Sequence, residues 1–316
     1  MKKSKTEKLM PNAKGFSVAS KILRTGGLVS FPTETVYGLG ADARDDAAVA
    51  KIYVAKGRPR FNPLIVHLAD VSAVSHYVKM NGAALRLADT FWPGALTLVL
   101  PVAQSGSVSK LVTAGLDTLA VRVPDHCVAS GLLAAFGGPI AAPSANPSGR
   151  ISPTTAAHVM AGLDGRIDAI VDGGTCGVGI ESTIVSCVGV PTLLRAGGIA
   201  IEALEACLGA LLRWDNDPDV PISPGQLASH YAPNGMMRLN ASYANPHEKL
   251  LGFGAVDADL NLSVLGDLVE AAANLFDMLH QLDALGAKHI AVSPIPNHGL
   301  GAAINDRLCR AAAPRD

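Results

Sequence analysis

The chain has no uninterrupted stretch of about 18 apolar residues, so no membrane-spanning helix is expected from it. Its basic start, MKKSKTEKLMPNAKG, has no apolar core of the kind a signal peptide needs, and a cytoplasmic location is expected. Cysteines are few, at positions 127, 176, 187, 207 and 309. They are odd in number and never spaced C-x-x-C, which argues against a zinc site or redox couple and for reduced thiols. Net charge is also nearly absent, at −1, so nothing draws the whole molecule to nucleic acid or an anionic membrane. Any recognition of phosphate must come from a local cluster. The common catalytic signatures are missing too: there is no G-x-x-x-x-G-K-[ST], no G-x-S-x-G and no H-E-x-x-H. Neither GLGADA at 38–43 nor GVGIES at 177–182 completes G-x-G-x-x-G, so P-loop and dinucleotide folds are disfavoured.

What is present is ample material for a core. Hydrophobic residues make up 49% of the 316 and charged residues only 17%, and the length suggests two domains. Residues 1–15 are polar and Lys-rich and read as a flexible tail. A short helix carrying Val18, Ile22 and Leu23 follows, then a strand at 28–31 and a helix from Asp46 to Lys56. A strand at 64–68 and a helix at 82–91 continue the alternation. Further short β-rich runs, bounded by Gly or Pro, occur at 95–100, 118–123, 139–144, 169–174, 182–187 and 192–197. So many strands with few helices predict a large mixed sheet in one α/β domain, over residues 16–213. The Pro-rich stretch 214–235 reads as a linker or ordered crossing loop. Beyond it, a strand at 250–254, a helix carrying Leu268, Ala272, Leu275, Leu279 and Leu282, and the strand KHIAV predict a β-α-β unit. Residues 236–316 would then form a smaller, Rossmann-like α/β domain. Asp267 and Glu270 can cap that helix, and Gly286 can close it.

Several clusters carry possible chemistry. In FPTETVYG a strand ends at Pro32, and Thr33 and Thr35 flank Glu34 where open α/β sheets present ligand groups, although an ordinary turn reads equally. Lys51, Lys56, Arg58 and Arg60 lie within ten positions, broken by Gly57 and Pro59. Guanidinium groups on so constrained a backbone suit bidentate phosphate contact better than a solvated charge run does. His67, near the end of LIVHL, taken alone reads as a satisfied core histidine. PSANPSGRIS places Ser144, Asn146, Ser148 and Ser152 on a stiff turn that can line an anion cavity or be a plain loop. Arg58, Arg122 and Arg195 each stand just before a Pro or Gly break, and paired strands would bring them to one rim.

In order, FPTETVYGLG, K-x-R-P with NPLIVH, FWPGALT, AVRVP, PSANPSG, ESTIV and LLRAGGI resemble the motif series of the YrdC-like L-threonylcarbamoyladenylate synthases. SPGQLASHYAP and GLGAAINDRLCRAA resemble the long, two-domain branch of that family. The resemblance implies synthesis of threonylcarbamoyl-AMP and pyrophosphate from L-threonine, bicarbonate and ATP, with Mg2+ assisting. It implies that Thr35, His67, Arg122, the backbone at Ala142, and Ser182 form the threonine pocket. Lys56, Arg58, Asn62, Thr118, Ser144, Ser152 and Arg195 would bind ATP, Lys56 and Arg58 being the catalytic pair, and Tyr231 of the linker would fold over the nucleotide. As partners it implies a downstream threonylcarbamoyl transferase complex acting on tRNA, with room for weak RNA contact. The rival readings are a double-stranded RNA or ribosome-binding module without catalysis and a hydrogenase-maturation carbamoyl transferase. The latter would need zinc-finger and acylphosphatase-like segments ahead of the first motif.

Overall fold

The computed structural model describes residues 5–59, 62–104, 107–214 and 229–314. Eleven strands make one sheet: β1 (Glu7–Leu9), β2 (Val29–Pro32), β3 (Tyr37–Asp42), β4 (Ile65–His67), β5 (Leu96–Pro101), β6 (Thr118–Arg122), β7 (Ile140–Ala141), β8 (Ala169–Val171), β9 (Thr183–Ser186), β10 (Thr192–Arg195) and β11 (Arg213–Trp214). Their order is β1-β8-β2-β3-β7-β4-β6-β5-β9-β10-β11, with parallel and antiparallel pairs mixed. The mixed α/β sheet is the one the short runs predicted.

Side chains two apart on a strand share a face, and this divides the sheet into two chemistries. Val66, Leu98, Val121, Val185 and Leu193 point into the main core, with Ile52, Leu87 and Val159 from helices on that side. On the opposite face, the helices Ala13–Arg24 and Cys127–Phe136 cover only the half containing β2, β7 and β8, through Leu23, Leu132 and Phe136. The other half has a small floor of Ile65, Val99, Ala120, Ile184 and Leu194, to which no helix contributes among the described residues. That uncovered floor is where the cleft lies.

Two local features differ from the sequence reading. Residues 5–15, the described part of the expected tail, are ordered into structure. Glu7–Leu9 pairs in parallel with Ala169–Val171, Leu9 is buried, and Asn12 caps a helix that begins at Ala13. A three-residue edge strand bearing charges suits a sheet margin but carries too little pattern to be read in advance. Tyr37–Asp42 is likewise a strand, hidden by its Gly and Ala content.

Four further strands, β12 (Met236–Arg238), β13 (Lys249–Gly252), β14 (Leu260–Asn261) and β15 (His289–Val292), form an all-parallel sheet in the order β12-β15-β13-β14. The Leu268–Ala284 helix, capped by Asp267, joins β14 to β15, so the expected β-α-β unit is present with an extra strand on each flank. Glu270 accepts from the Ser263 hydroxyl rather than completing a capping box. The two domains share a core. Val36, Ile151, Ile180 and Ala196 of the first pack with Leu275, Phe276, Leu279, Ile304 and Leu308 of the second. Gly179, at φ +77°, meets the Leu268–Ala284 helix so closely that a Cβ would lie 2.5 Å from the Ala272 carbonyl oxygen. Of the expected linker, residues 215–228 lie outside the described residues, while His230, Tyr231 and Ala232 are buried between the domains. No described helix is long and apolar enough to cross a membrane.

Candidate active site

The parallel pair β4–β6 sets the axis of the cleft. His67 and Arg122 are registered partners at its carboxyl end, both 3% exposed. The Arg122 guanidinium donates to the Thr35 hydroxyl (2.9 Å) and to the Gly94 carbonyl (3.1 Å). Its Nη2 lies 2.6 Å from Glu34 Oε1, a close ionic contact without an aligned hydrogen bond. Thr35 is held in turn by Thr33, hydroxyl to hydroxyl at 2.7 Å. Burial, then the neighbouring Arg122 charge, pushes the His67 pKa down to about 3, so the ring is neutral at pH 7. Its Nδ1 has no hydrogen-bond partner among the described residues. The Ala142 N–H donates to the Ile65 carbonyl (2.9 Å), which leaves only the Ala142 carbonyl for a ligand. Ser182, just ahead of β9, shares a 2.7 Å hydrogen bond with Thr97.

The phosphate-seeking residues are divided: Arg58 and Thr118 stand at the opposite end of β4 and β6 from Arg122, whereas Arg195, registered with Ile184 beside Thr97, is level with Arg122 three strands across the sheet. The Asp46–Lys56 helix stops at Gly57, whose φ of 62° turns the chain, and Arg58 then donates to the Pro63 carbonyl (3.1 Å). Thr118 lies two positions before the Ala120–Ile65 pair, level with Pro63, so it stands at Arg58's end of β6 and about 13 Å from Arg122. Arg195 forks onto the Ser182 carbonyl at 3.1 and 3.0 Å. Ser152 donates 2.5 Å to Glu181. Tyr231, with φ of 61°, stacks on Phe276 from the second domain.

Thr35, Arg58, His67, Arg122, Ala142, Ser144, Ser182, Arg195 and Tyr231 therefore line one cleft. Lys56, Asn62, Thr118 and Ser152 do not reach its wall. Lys56 instead donates to the Ser144 and Asn146 carbonyls, both at 2.5 Å, and so pins the PSANPSG turn. Arg60 lies outside the described residues. The sequence reading missed Glu181 and His230, both in the wall, and Arg307 behind it. Glu181 and His230 adjoin predicted residues, Ser182 and Tyr231, whereas Arg307 had no signal beyond its helix.

Charge defines this cavity. Lys56, Arg58, Arg122, Arg195 and Arg307 are all buried, and among the described residues the carboxylates of Glu34, Glu181 and Asp306 stand close to this group. Burial, then Arg58, holds the Lys56 pKa well below normal, and burial brings Arg58 down to about 10. Arg195 is lowered chiefly by burial as well. Several cations held together away from water repel one another, and a site built this way gains by taking an anion.

A family model described as telomere recombination matches residues 21–197, and one described as the threonylcarbamoyl-AMP synthase C-terminal domain matches residues 199–313. A Bacillus subtilis protein named threonylcarbamoyl-AMP synthase is 42% identical over 337 residues, covering 98% of this chain and 96% of that protein. A Pyrococcus abyssi protein of the same name is 41% identical, covering 94% of each. The crystal structure of P. abyssi Sua5 complexed with L-threonine superimposes with a TM-score of 0.89 at 37% identity, over 97% of both chains. E. coli YciO matches 61% of this chain, with a TM-score of 0.55 at 25% identity. The chain therefore belongs to the YrdC-like threonylcarbamoyl-AMP synthase family, in its long, two-domain form.

Proposed function

We propose that this protein is an L-threonylcarbamoyladenylate synthase, converting L-threonine, bicarbonate and ATP to threonylcarbamoyl-AMP and pyrophosphate. The observation that carries the reading is one cleft that gathers Arg122, Thr35 and His67 together with Arg58, at the opposite end of β4, and Arg195, three strands across the sheet from Arg122. Arg122 presents a fork suited to the threonine carboxylate, for which Glu34 is the resident counter-ion. Neutral His67 adds no repulsion to the substrate amine and offers it an acceptor.

No protein nucleophile is needed. The unprotonated amine attacks carbon dioxide derived from bicarbonate, loses its proton, and becomes a carbamate. A carbamate oxygen then attacks the α-phosphorus of ATP, forming the P–O bond as the bond to pyrophosphate breaks. The residues contribute position and charge: Arg58 and Arg195 neutralise the growing negative charge, and Lys56 stiffens the turn that bears Ser144. No group of three or more His, Cys, Asp or Glu able to hold a metal occurs among the described residues. Glu34 and Glu181 are already ion-paired. Magnesium fits this chemistry as part of MgATP, where it supplies charge neutralisation on the phosphates.

The product is a mixed anhydride of a carbamate, which water destroys, so it calls for a consuming transferase close at hand. A threonylcarbamoyl transferase complex acting on tRNA fills that role, and a cytoplasmic setting suits it. The test is pyrophosphate release with each substrate withheld in turn. Release should require threonine, bicarbonate and ATP together; release indifferent to threonine would refute the assignment.

A further inference from the structure

Glu181 is an awkward residue for a site that must admit ATP. It is 6% exposed, lines the cleft beside Ser182, Arg195 and Tyr231, and carries a negative charge where phosphates have to enter. One of its oxygens accepts from Ser152 at 2.5 Å, and the other accepts from Arg307 Nε at 3.1 Å. Arg307 comes from the far end of the chain, on the Gly301–Ala312 helix. It lies on that helix's buried face with Ala303, Ile304, Leu308 and Ala311, an apolar stripe where a leucine would cost less.

The rest of the Arg307 fork is disposed around the same point. Nη1 donates to the Ala196 carbonyl (2.6 Å) and to Asp306 (2.9 Å), and the guanidinium carbon lies 5.4 Å from the centre of the Tyr231 ring. Nη2 is buried with no hydrogen-bond partner among the described residues. Once phosphates claim Arg58 and Arg195, Arg307 is the cation that stays on Glu181, because it sits behind the wall and not in it.

We propose that Arg307 is a positioning residue of the nucleotide site, which neutralises Glu181 and holds it on Ser152 so that the phosphates of ATP can enter beside it. This rests on the ATP-using reading above. The second domain thereby acts directly on the nucleotide site, since its last helix supplies the counter-charge without which the catalytic domain's own carboxylate repels the substrate. Burial alone would lower the Arg307 pKa, but Tyr231, Glu181 and Asp306 outweigh it and hold the group firmly charged.

The experiment is calorimetric titration of the full-length protein with MgATP and, separately, with L-threonine, for wild type, Arg307→Met and the double variant Glu181→Gln with Arg307→Met. Arg307→Met leaves a buried carboxylate unpaired and should weaken ATP about tenfold or more while threonine changes by less than about twofold. The double variant carries no unpaired charge, and Gln can still bond Ser152, so ATP affinity should return to within about threefold of wild type. Unchanged ATP affinity in Arg307→Met overturns the proposal. So does a double variant no better than the single one, with threonine affinity lost in parallel, since that marks a packing role. If Arg307→Met does not fold, the double variant decides by the same threefold criterion: affinity within it supports the proposal, and a larger loss overturns it. A wild-type protein that binds no ATP would refute the enzyme reading itself.

Discussion

The Arg122 guanidinium donates to the Thr35 hydroxyl at 2.9 Å, tying the carboxyl end of β6 to the loop between β2 and β3. The same guanidinium presses on Glu34 at 2.6 Å. A threonine carboxylate entering here competes with Glu34 for a fork that Thr35 has already oriented. Arg122→Lys keeps the charge and loses the fork. It should weaken threonine binding by about 2–3 kcal/mol, on the order of a hundredfold, and change ATP binding far less. Separate titrations with threonine and ATP check this, and equal losses for both would place Arg122 elsewhere in the mechanism.

Tyr231 joins the two domains over the cleft, stacked on Phe276 with ring centres 5.5 Å apart and against His230 at 4.2 Å. Burial raises its pKa to about 12, so the hydroxyl remains a donor at neutral pH. Tyr231→Ala should lower ATP affinity about tenfold and cost about 3 kcal/mol of stability, as the loss of a buried aromatic ring does. Tyr231→Phe separates the hydroxyl from the ring. A chain cut after residue 213 would expose Val36, Ile151, Ile180 and Ala196, so the point variants are the cleaner test. Undiminished ATP affinity in Tyr231→Ala would remove its role as a lid.

The two domains also meet through His158 and His280, whose rings stack at 3.9 Å with planes 19° apart. His158 is brought down to about 4, mainly by burial and then by His280, with Asp277 opposing. His280 is lowered by burial against the Ser152 carbonyl bond, Asp283 and Asp277. Folded-state pKa values below the ordinary 6.5 mean that the unfolded chain takes up protons first as pH falls. Stability from this pair is therefore full above about pH 6.5 and is lost as pH falls toward about 4, with His67 adding the same sign. Urea midpoints at pH 7.5 and 5 should differ, with the acidic one lower, and His158→Asn should shrink the difference. A midpoint that rises toward pH 5 would contradict the assignment.

The catalytic sheet was legible because its strands are short apolar runs between Gly and Pro, and the Asp46–Lys56 helix because Gly57 and Pro59 break it, while its cap at Asp45 emerged only in the structure. β3 was not, since YGLGAD lacks the branched residues that mark strands. At the site, motif resemblance located Thr35, Arg58, Arg122 and Arg195, which touch the cleft, but not Glu181 or His230. It did not show that Lys56 spends two protons on carbonyls, nor that Arg307 meets Glu181 across 126 positions. Contacts between distant segments leave no local pattern. The burial of an arginine on an apolar helix face becomes visible only when the facing surface is known.

The central claim is that the buried cations of this cleft serve adenylation of a carbamate. Mass-spectrometric detection of threonylcarbamoyl-AMP, after incubating the purified chain with L-threonine, bicarbonate and MgATP, tests it most directly. The wild-type protein should accumulate the adenylate. Arg58→Ala, which removes a buried cation from the cleft wall, should form it at least about a thousandfold more slowly while keeping its circular dichroism spectrum. No adenylate from the wild type under complete conditions, or undiminished product from Arg58→Ala, would contradict the account.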